Sequence, residues 1–246
     1  MTENVEIEIP IKFFDINSMT ENPMIMIFGP RGSGKSTLCI DFLKRLSFED
    51  LRKSLIINSV ELYSKRYEDE FPHAEILDEL DIEIIEEYLD KDGGCIILDD
   101  SVLPTENTFK CDIITRFFEA KNKTRIMTFQ SPISMPLEFR KKIDYIFLFK
   151  DNHMGNQKKM YEQYVGLFPT FMSFRAVYEK MTYGYNCLVV NRRSEMCFIT
   201  DMLFRYHVEL DEKELKKIYS QPKKSENNSP IDKIRSINDQ NGCSIM

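Results

Sequence analysis

An α/β fold, with a mainly parallel central sheet covered by helices on both faces, is what this sequence predicts, and three observations carry it. Short apolar runs alternate with stretches of helical periodicity along most of the chain, the pattern of parallel strands joined through helices. One such run, residues 24–28 (MIMIF), passes through a glycine-rich turn straight into a helical pattern. Another, residues 95–98, ends on two consecutive aspartates.

Taken in order, Val5, Ile7, Ile9 and Ile11 alternate with polar residues and predict a leading strand, which Pro10 assigns to a sheet edge. After the strand at 24–28 and its turn comes a helix over about 36–46, with Leu38, Phe42, Leu43 and Leu46 on one face, and a short strand at 54–58. Leu77, Leu80, Ile84, Ile85, Tyr88 and Leu89 recur at helical spacing, so residues 76–89 read as one amphipathic helix with a strongly acidic outer face. Gly93 and Gly94 turn the chain into the strand at 95–98, followed by a helix at 112–120, a strand at 125–129 and another at 145–149. A helical stretch at 171–181, a strand at 187–191 and mixed segments to about residue 218 complete one domain, residues 1–219. Residues 220–246 are polar and rich in breakers, and read as a disordered tail.

A chain of 246 residues, 42% hydrophobic and 30% charged, is long enough to bury one sizeable core. Its apolar runs fall far short of the roughly 20 residues that cross a bilayer, and the acidic N-terminus lacks the apolar centre of a secretory signal. Six dispersed cysteines without a C-x-x-C pair, and three histidines, argue against a zinc site or a disulfide framework and for a reducing compartment. The net charge of -7 argues against a protein that meets nucleic acid, but it is concentrated: residues 68–92 hold twelve acids against Lys91, leaving the remainder basic. Basic clusters stand at Lys121, Lys123 and Arg125, at Arg140, Lys141 and Lys142, at Lys158 and Lys159, and at Arg192 and Arg193. Each reads first as a solvated face and second as a phosphate contact.

The turn after the strand at 24–28 spells GPRGSGKS, a Walker-A phosphate loop in its proper setting. Gly29, Gly32 and Gly34 permit the turn conformations that aim successive amides at phosphate oxygens, with Pro30, Arg31 and Ser33 between them. Lys35 would reach the β- and γ-phosphates, Ser36 offers a hydroxyl to Mg²⁺, and Thr37 is a weaker candidate beside it. ATP with Mg²⁺ is therefore the expected ligand. In CIILDD, residues 95–100, Asp99 would hold the metal directly or through water, and Asp100 would orient or deprotonate an attacking water. Gln130, just past its strand and followed by Ser131 and Pro132, is either a sensor of the γ-phosphate or a turn-capping amide. Arg140 has three open readings: an arginine finger, a DNA contact or a surface charge.

The order Walker A, DD, Gln130, PLEFRKKIDYIFLF, MYEQYVGLFPTF and YNCLVV, across residues 22–210, resembles the DNA-packaging ATPases of nucleocytoplasmic large DNA viruses, the poxvirus-type branch of the FtsK-HerA superfamily. Its most specific part is Leu137, Arg140, Ile143, Asp144 and Tyr145, then Tyr161, Tyr164, Gly166, Phe168 and Pro169, then residues 187–190. The resemblance implies a P-loop NTPase of RecA/FtsK-HerA-like fold, assembled as a homo-oligomeric ring, that hydrolyses ATP to drive double-stranded DNA into a capsid. It implies capsid or portal components as partners, and the host cytoplasm, viral factory or virion as the place of action. One departure stands out: the Gly-Arg-His group common in that family is replaced by FFEAKNK, with Arg116 and Lys121 nearby.

Two other readings use the same loop: a nucleoside or nucleotide kinase, and a non-catalytic ATP-binding virion assembly protein. Cys243, Ser244, Ile245 and Met246 match a C-a-a-X prenylation pattern, or a chance cysteine four residues from the end. A single chain there would give only weak membrane attachment.

Overall fold

The computed structural model describes residues 12–102, 105, 107–195 and 198–208. The expected leading strand at residues 5–11, the tail at 220–246 and Cys243 lie outside these. The described strands are β1 (Lys12–Phe13), β2 (Met24–Phe28), β3 (Leu55–Asn58), β4 (Glu75–Leu77), β5 (Cys95–Asp99), β6 (Thr124–Phe129), β7 (Tyr145–Phe149), β8 (Cys187–Asn191) and β9 (Leu203–Tyr206). They form one sheet in the order β1-β9-β8-β7-β2-β6-β5-β3-β4. Neighbours run parallel except β8, which is antiparallel to both β7 and β9. β2 lies at the centre: the chain leaves it for β3 on one side and returns to β7 on the other. Its carboxyl end is thus the switch point at which open α/β sheets bind ligands.

The helices are α1 (Lys35–Leu43), α2 (Phe48–Leu51), α3 (Glu61–Glu70), α4 (Ile82–Asp90), α5 (Asp112–Glu119), α6 (Leu137–Arg140), α7 (Met154–Gln163), α8 (Phe171–Met181) and α9 (Ile199–Met202). Strand alternation divides the interior into two cores. Met24, Met26 and Phe28 of β2 face one, beneath α4, α5, α7 and α8; Ile25 and Ile27 face the other, beneath α1 and α3. Burial on both faces explains why the central strands read as unbroken apolar runs.

The acidic stretch departs from its expected form. Glu75–Leu77 is an edge strand registered on Leu55, Ile56 and Ile57, and the helix begins only after Asp81, whose carboxylate accepts the Ile84 N–H at 3.1 Å. An N-cap aspartate inside the helical pattern makes the helix start late, and the short charged strand covers the open edge of β3. Among the described side chains, helices α3 and α7 bury few apolar residues by which periodicity could announce them: Tyr67 and Phe71 go inward at α3, Met160 at α7.

One basic cluster also differs from its reading as a solvated face. Lys123 is buried, and its ammonium donates to the carbonyls of Tyr88 and Lys91 at the end of α4; burial pulls its pKa down to about 8. Arg125 is buried beside it and donates to the Phe118 carbonyl at 3.0 Å and the Asn22 carbonyl at 3.2 Å. These cations tie helix ends to the sheet. Lys123→Met is accordingly expected to lower stability by about 2 kcal/mol, since it strands two carbonyls without their donor; urea unfolding checks this. Arg116 joins α5 to α4 through Glu86 and Asp90, both at 2.8 Å, so part of the acidic face is paired.

Candidate active site

β2 ends at Phe28, and the phosphate loop follows at the carboxyl edge of the sheet. The Gly29 N–H donates to the Phe129 carbonyl at 3.1 Å, pinning the loop to β6. A Cβ on Gly29 would stand 2.5 Å from Ser33 Oγ and 2.7 Å from Phe149 Cβ, so only glycine lets the loop close on itself. Gly32 and Gly34 have φ of 77° and 110°, in the left-handed region that glycine favours. Gly34 is the N-cap of α1 and offers no capping side chain, so the amides of the first helical turn, at Lys35, Ser36 and Thr37, are left for an outside acceptor. Ser33 Oγ is buried with no hydrogen-bond partner among the described residues. Pro30 and the exposed Arg31 complete the rim. This cradle of glycines, amides and an unsatisfied hydroxyl fits a triphosphate.

Lys35 is only 5% exposed and folds back on the loop, its ammonium 3.0 Å from the Gly29 carbonyl and 3.0 Å from Asp100 Oδ2. Asp99 and Asp100 terminate β5 but differ sharply. Asp99 is 1% exposed: Oδ2 accepts from Asn58 Nδ2 at 2.7 Å and Tyr67 OH at 3.0 Å, and Oδ1 accepts from Thr128 Oγ1 at 2.8 Å. An ionised carboxylate has about four acceptor sites, so Asp99 keeps one, on Oδ1, for a metal or a metal-bound water. Asp100 has left the strand with φ of 50°, and is half-buried against Lys35. Burial pushes its carboxyl above the ordinary range, the nearby Lys35 pulls it back and Asp99 raises it again. An acid of this kind can accept a proton at its own oxygens, which suits a general base.

Gln130 follows β6, which lies between the strand of the phosphate loop and the strand of the acid pair, and its side chain is exposed there. The structure thus brings Gly29 to Thr37, Asp99, Asp100 and Gln130 to one edge. It does not bring Arg140. That residue ends α6 ahead of β7, whose first residue Tyr145 is registered on Ile25, so Arg140 sits at the amino-terminal edge, opposite the loop. Its Nη1 donates to the Gln163 carbonyl at 3.1 Å.

Sequence reading missed Asn58, Tyr67, Thr128 and the Phe149 ring that packs under Gly34. A polar Thr inside the apolar run IMTF, and an Asn at a strand end, were the available signals. Much of the family-specific block proves to be framework. Asp144 Oδ2 accepts the Met24 N–H at 2.8 Å and its Oδ1 meets Arg193 Nε at 2.6 Å. Tyr164 donates to the Ile133 carbonyl at 2.7 Å while its ring packs against Phe28 with centroids 4.7 Å apart.

A mainly parallel sheet with a glycine loop on its central strand, an acid pair two strands away and a polar strand tip between them defines the P-loop NTPase fold. Among solved structures, the chain is similar to the genome packaging NTPase of Sulfolobus turreted icosahedral virus 2 bound to AMP (TM-score 0.56, 13% identity, 78% of this chain and 100% of that one). It is similar also to the DNA-packaging ATPase of Sulfolobus turreted icosahedral virus (TM-score 0.56, 15% identity, with the same coverage). No family model matches the chain. An uncharacterized protein of Acanthamoeba polyphaga mimivirus is 30% identical over 213 residues, 78% of this chain and 74% of that protein. An uncharacterized protein of Invertebrate iridescent virus 6 is 26% identical over 210 residues, 76% of this chain and 81% of its own. The chain belongs to one protein family with the mimivirus protein, and it shares its fold with the two Sulfolobus virus proteins.

Proposed function

We propose that this protein hydrolyses ATP and uses the cycle to move double-stranded DNA into a viral capsid. The observation that carries the reading is the pairing of Lys35 with Asp100 beside a buried Asp99 hydrogen-bonded through both oxygens, all at the mouth of the phosphate loop. A loop that only held nucleotide would have no use for a second, partly desolvated carboxylate set against its lysine.

In this reading the amides of residues 32–37 and Lys35 hold the triphosphate. Ser36 and Asp99 would hold Mg²⁺, which when bound offsets charge on the β- and γ-phosphates. Asp100 orients a water and takes its proton as the water oxygen bonds to the γ-phosphorus and the β-γ bridging P–O bond breaks, leaving ADP and phosphate. Gln130 holds the same water or the γ-phosphate from the adjacent strand. Among the described residues the cation on Asp100 is Lys35, and Arg140 faces the other edge. An arginine finger, if Arg140 supplies it, therefore acts on the site of a neighbouring copy, which accords with a homo-oligomeric ring.

DNA grip through backbone phosphates suits sequence-independent transport, and the exposed Lys121 and Lys141 are among the surface cations that can serve it. Capsid or portal components are the proposed protein partners, and the infected cell or virion the proposed site of action. No described helix is long and apolar enough to cross a membrane; attachment through a lipid on Cys243 remains part of the proposal.

The test is steady-state ATP hydrolysis with and without double-stranded DNA. DNA is expected to raise turnover several-fold, with the stimulation falling steeply as salt rises. Turnover indifferent to DNA and dependent on a small phosphate acceptor would overturn the reading in favour of a kinase.

A further inference from the structure

Thr128 is fully buried in β6, a central strand where its neighbours Ile126, Met127 and Phe129 are apolar. A valine has the same shape and would bury no hydroxyl, and an unused hydroxyl in such a place is costly. Here the hydroxyl is used, and only on the acid pair. Thr128 Oγ1 accepts the Asp100 N–H at 2.9 Å and stands 2.8 Å from Asp99 Oδ1 and 3.2 Å from Asp100 Oδ1. A hydroxyl has one proton to donate, so it serves one of the two carboxylates at a time.

The backbone of Asp100 makes this contact consequential. Its φ of 50° is uncommon for a residue with a side chain, and such a conformation persists where surroundings fix it. The N–H that this turn releases from the β5 ladder is caught by Thr128, and the same oxygen reaches the carboxylate. The two acids are thus aimed from one point on the neighbouring strand. Gln130 directly follows that strand, two residues beyond Thr128, so the acid pair and the polar tip lean on one support.

We propose that Thr128 is a positioning residue for hydrolysis: it fixes the left-handed turn at Asp100 and sets the orientation of both carboxylates toward the phosphate loop. The inference rests on the hydrolytic reading above and deepens it. Thr128 touches neither phosphate nor metal in this role, so its loss should be felt in kcat and not in nucleotide affinity. The hydroxyl, and not the bulk of the side chain, should matter.

The experiment compares the parent with Thr128→Val, Thr128→Ala and Thr128→Ser in the full chain, measuring kcat and KM for ATP, the affinity for a fluorescent ATP analogue, and thermal unfolding. Thr128→Val is expected to lose about 30- to 100-fold in kcat, the scale of a misplaced catalytic group, while KM and analogue affinity stay within about threefold. Thr128→Ala should fall alongside it, and Thr128→Ser should recover most of the activity because it keeps the hydroxyl. Parent-like kcat in Thr128→Val overturns the proposal. So does a serine variant as slow as the valine one, or kcat losses that merely follow losses in unfolding temperature across the three, which would mark a packing role. A parent without ATP turnover would overturn the hydrolytic reading and this inference together, whereas an active parent with an indifferent Thr128→Val overturns only the inference.

Discussion

Lys35→Ala is expected to abolish useful ATP turnover, lowering kcat/KM by about 1,000-fold, the upper end of what loss of one preorganised charge donor costs. Two consequences of the structure combine. The variant removes the only side-chain cation that the loop sequence places at the β- and γ-phosphates, leaving amides alone to hold a highly charged ligand. It also removes the partner that stands 3.0 Å from Asp100 Oδ2, in a place where burial already disfavours a charged carboxylate. Asp100 is then driven further toward its protonated form, in which it cannot act as a base. Nucleotide affinity should fall as well, readable by titration with a fluorescent ATP analogue, and unfolding temperature without nucleotide should drop because a buried pair has lost one member. A Lys35→Ala protein that turns ATP over at the parental rate would remove this loop from the chemistry.

Local patterns made part of this site readable without coordinates. The glycines at 29, 32 and 34 follow from the conformations a phosphate loop requires, and each has a geometric reason in the structure. The acid pair was legible because two carboxylates end an otherwise apolar strand. What stayed hidden depends on which strands become neighbours. Asn58 and Thr128 meet Asp99 only because β3 and β6 flank β5, and Tyr67 reaches it from a helix whose sequence is nearly all polar. Arg140 was equally opaque: sequence put a basic residue before a buried strand, and only the register of Tyr145 on Ile25 places it at the far edge. Lys123 and Arg125 misled for the opposite reason. Charge in a sequence suggests surface, yet both cations are buried where the free carbonyls at helix ends compensate them.

Asp100→Asn is the variant that separates binding from chemistry. The amide keeps the shape and an oxygen for Thr128, so the left-handed turn and the position of Asp99 should survive. It cannot take a proton from water, and kcat is expected to fall by about 100- to 10,000-fold, the range that general-base catalysis supplies. Affinity for ATP should hold or rise. In the structure Lys35 is shared between Asp100 and the Gly29 carbonyl, so phosphate oxygens must compete with a carboxylate for the ammonium. Neutralising that competitor frees Lys35 for the ligand. Loss of turnover with tighter or unchanged binding of a fluorescent ATP analogue is thus the expected signature, and it differs from that of Lys35→Ala, in which both fall. If Asp100→Asn instead hydrolysed ATP at the parental rate, the base would have to be sought elsewhere, and Asp100 would be a structural partner of Lys35 alone.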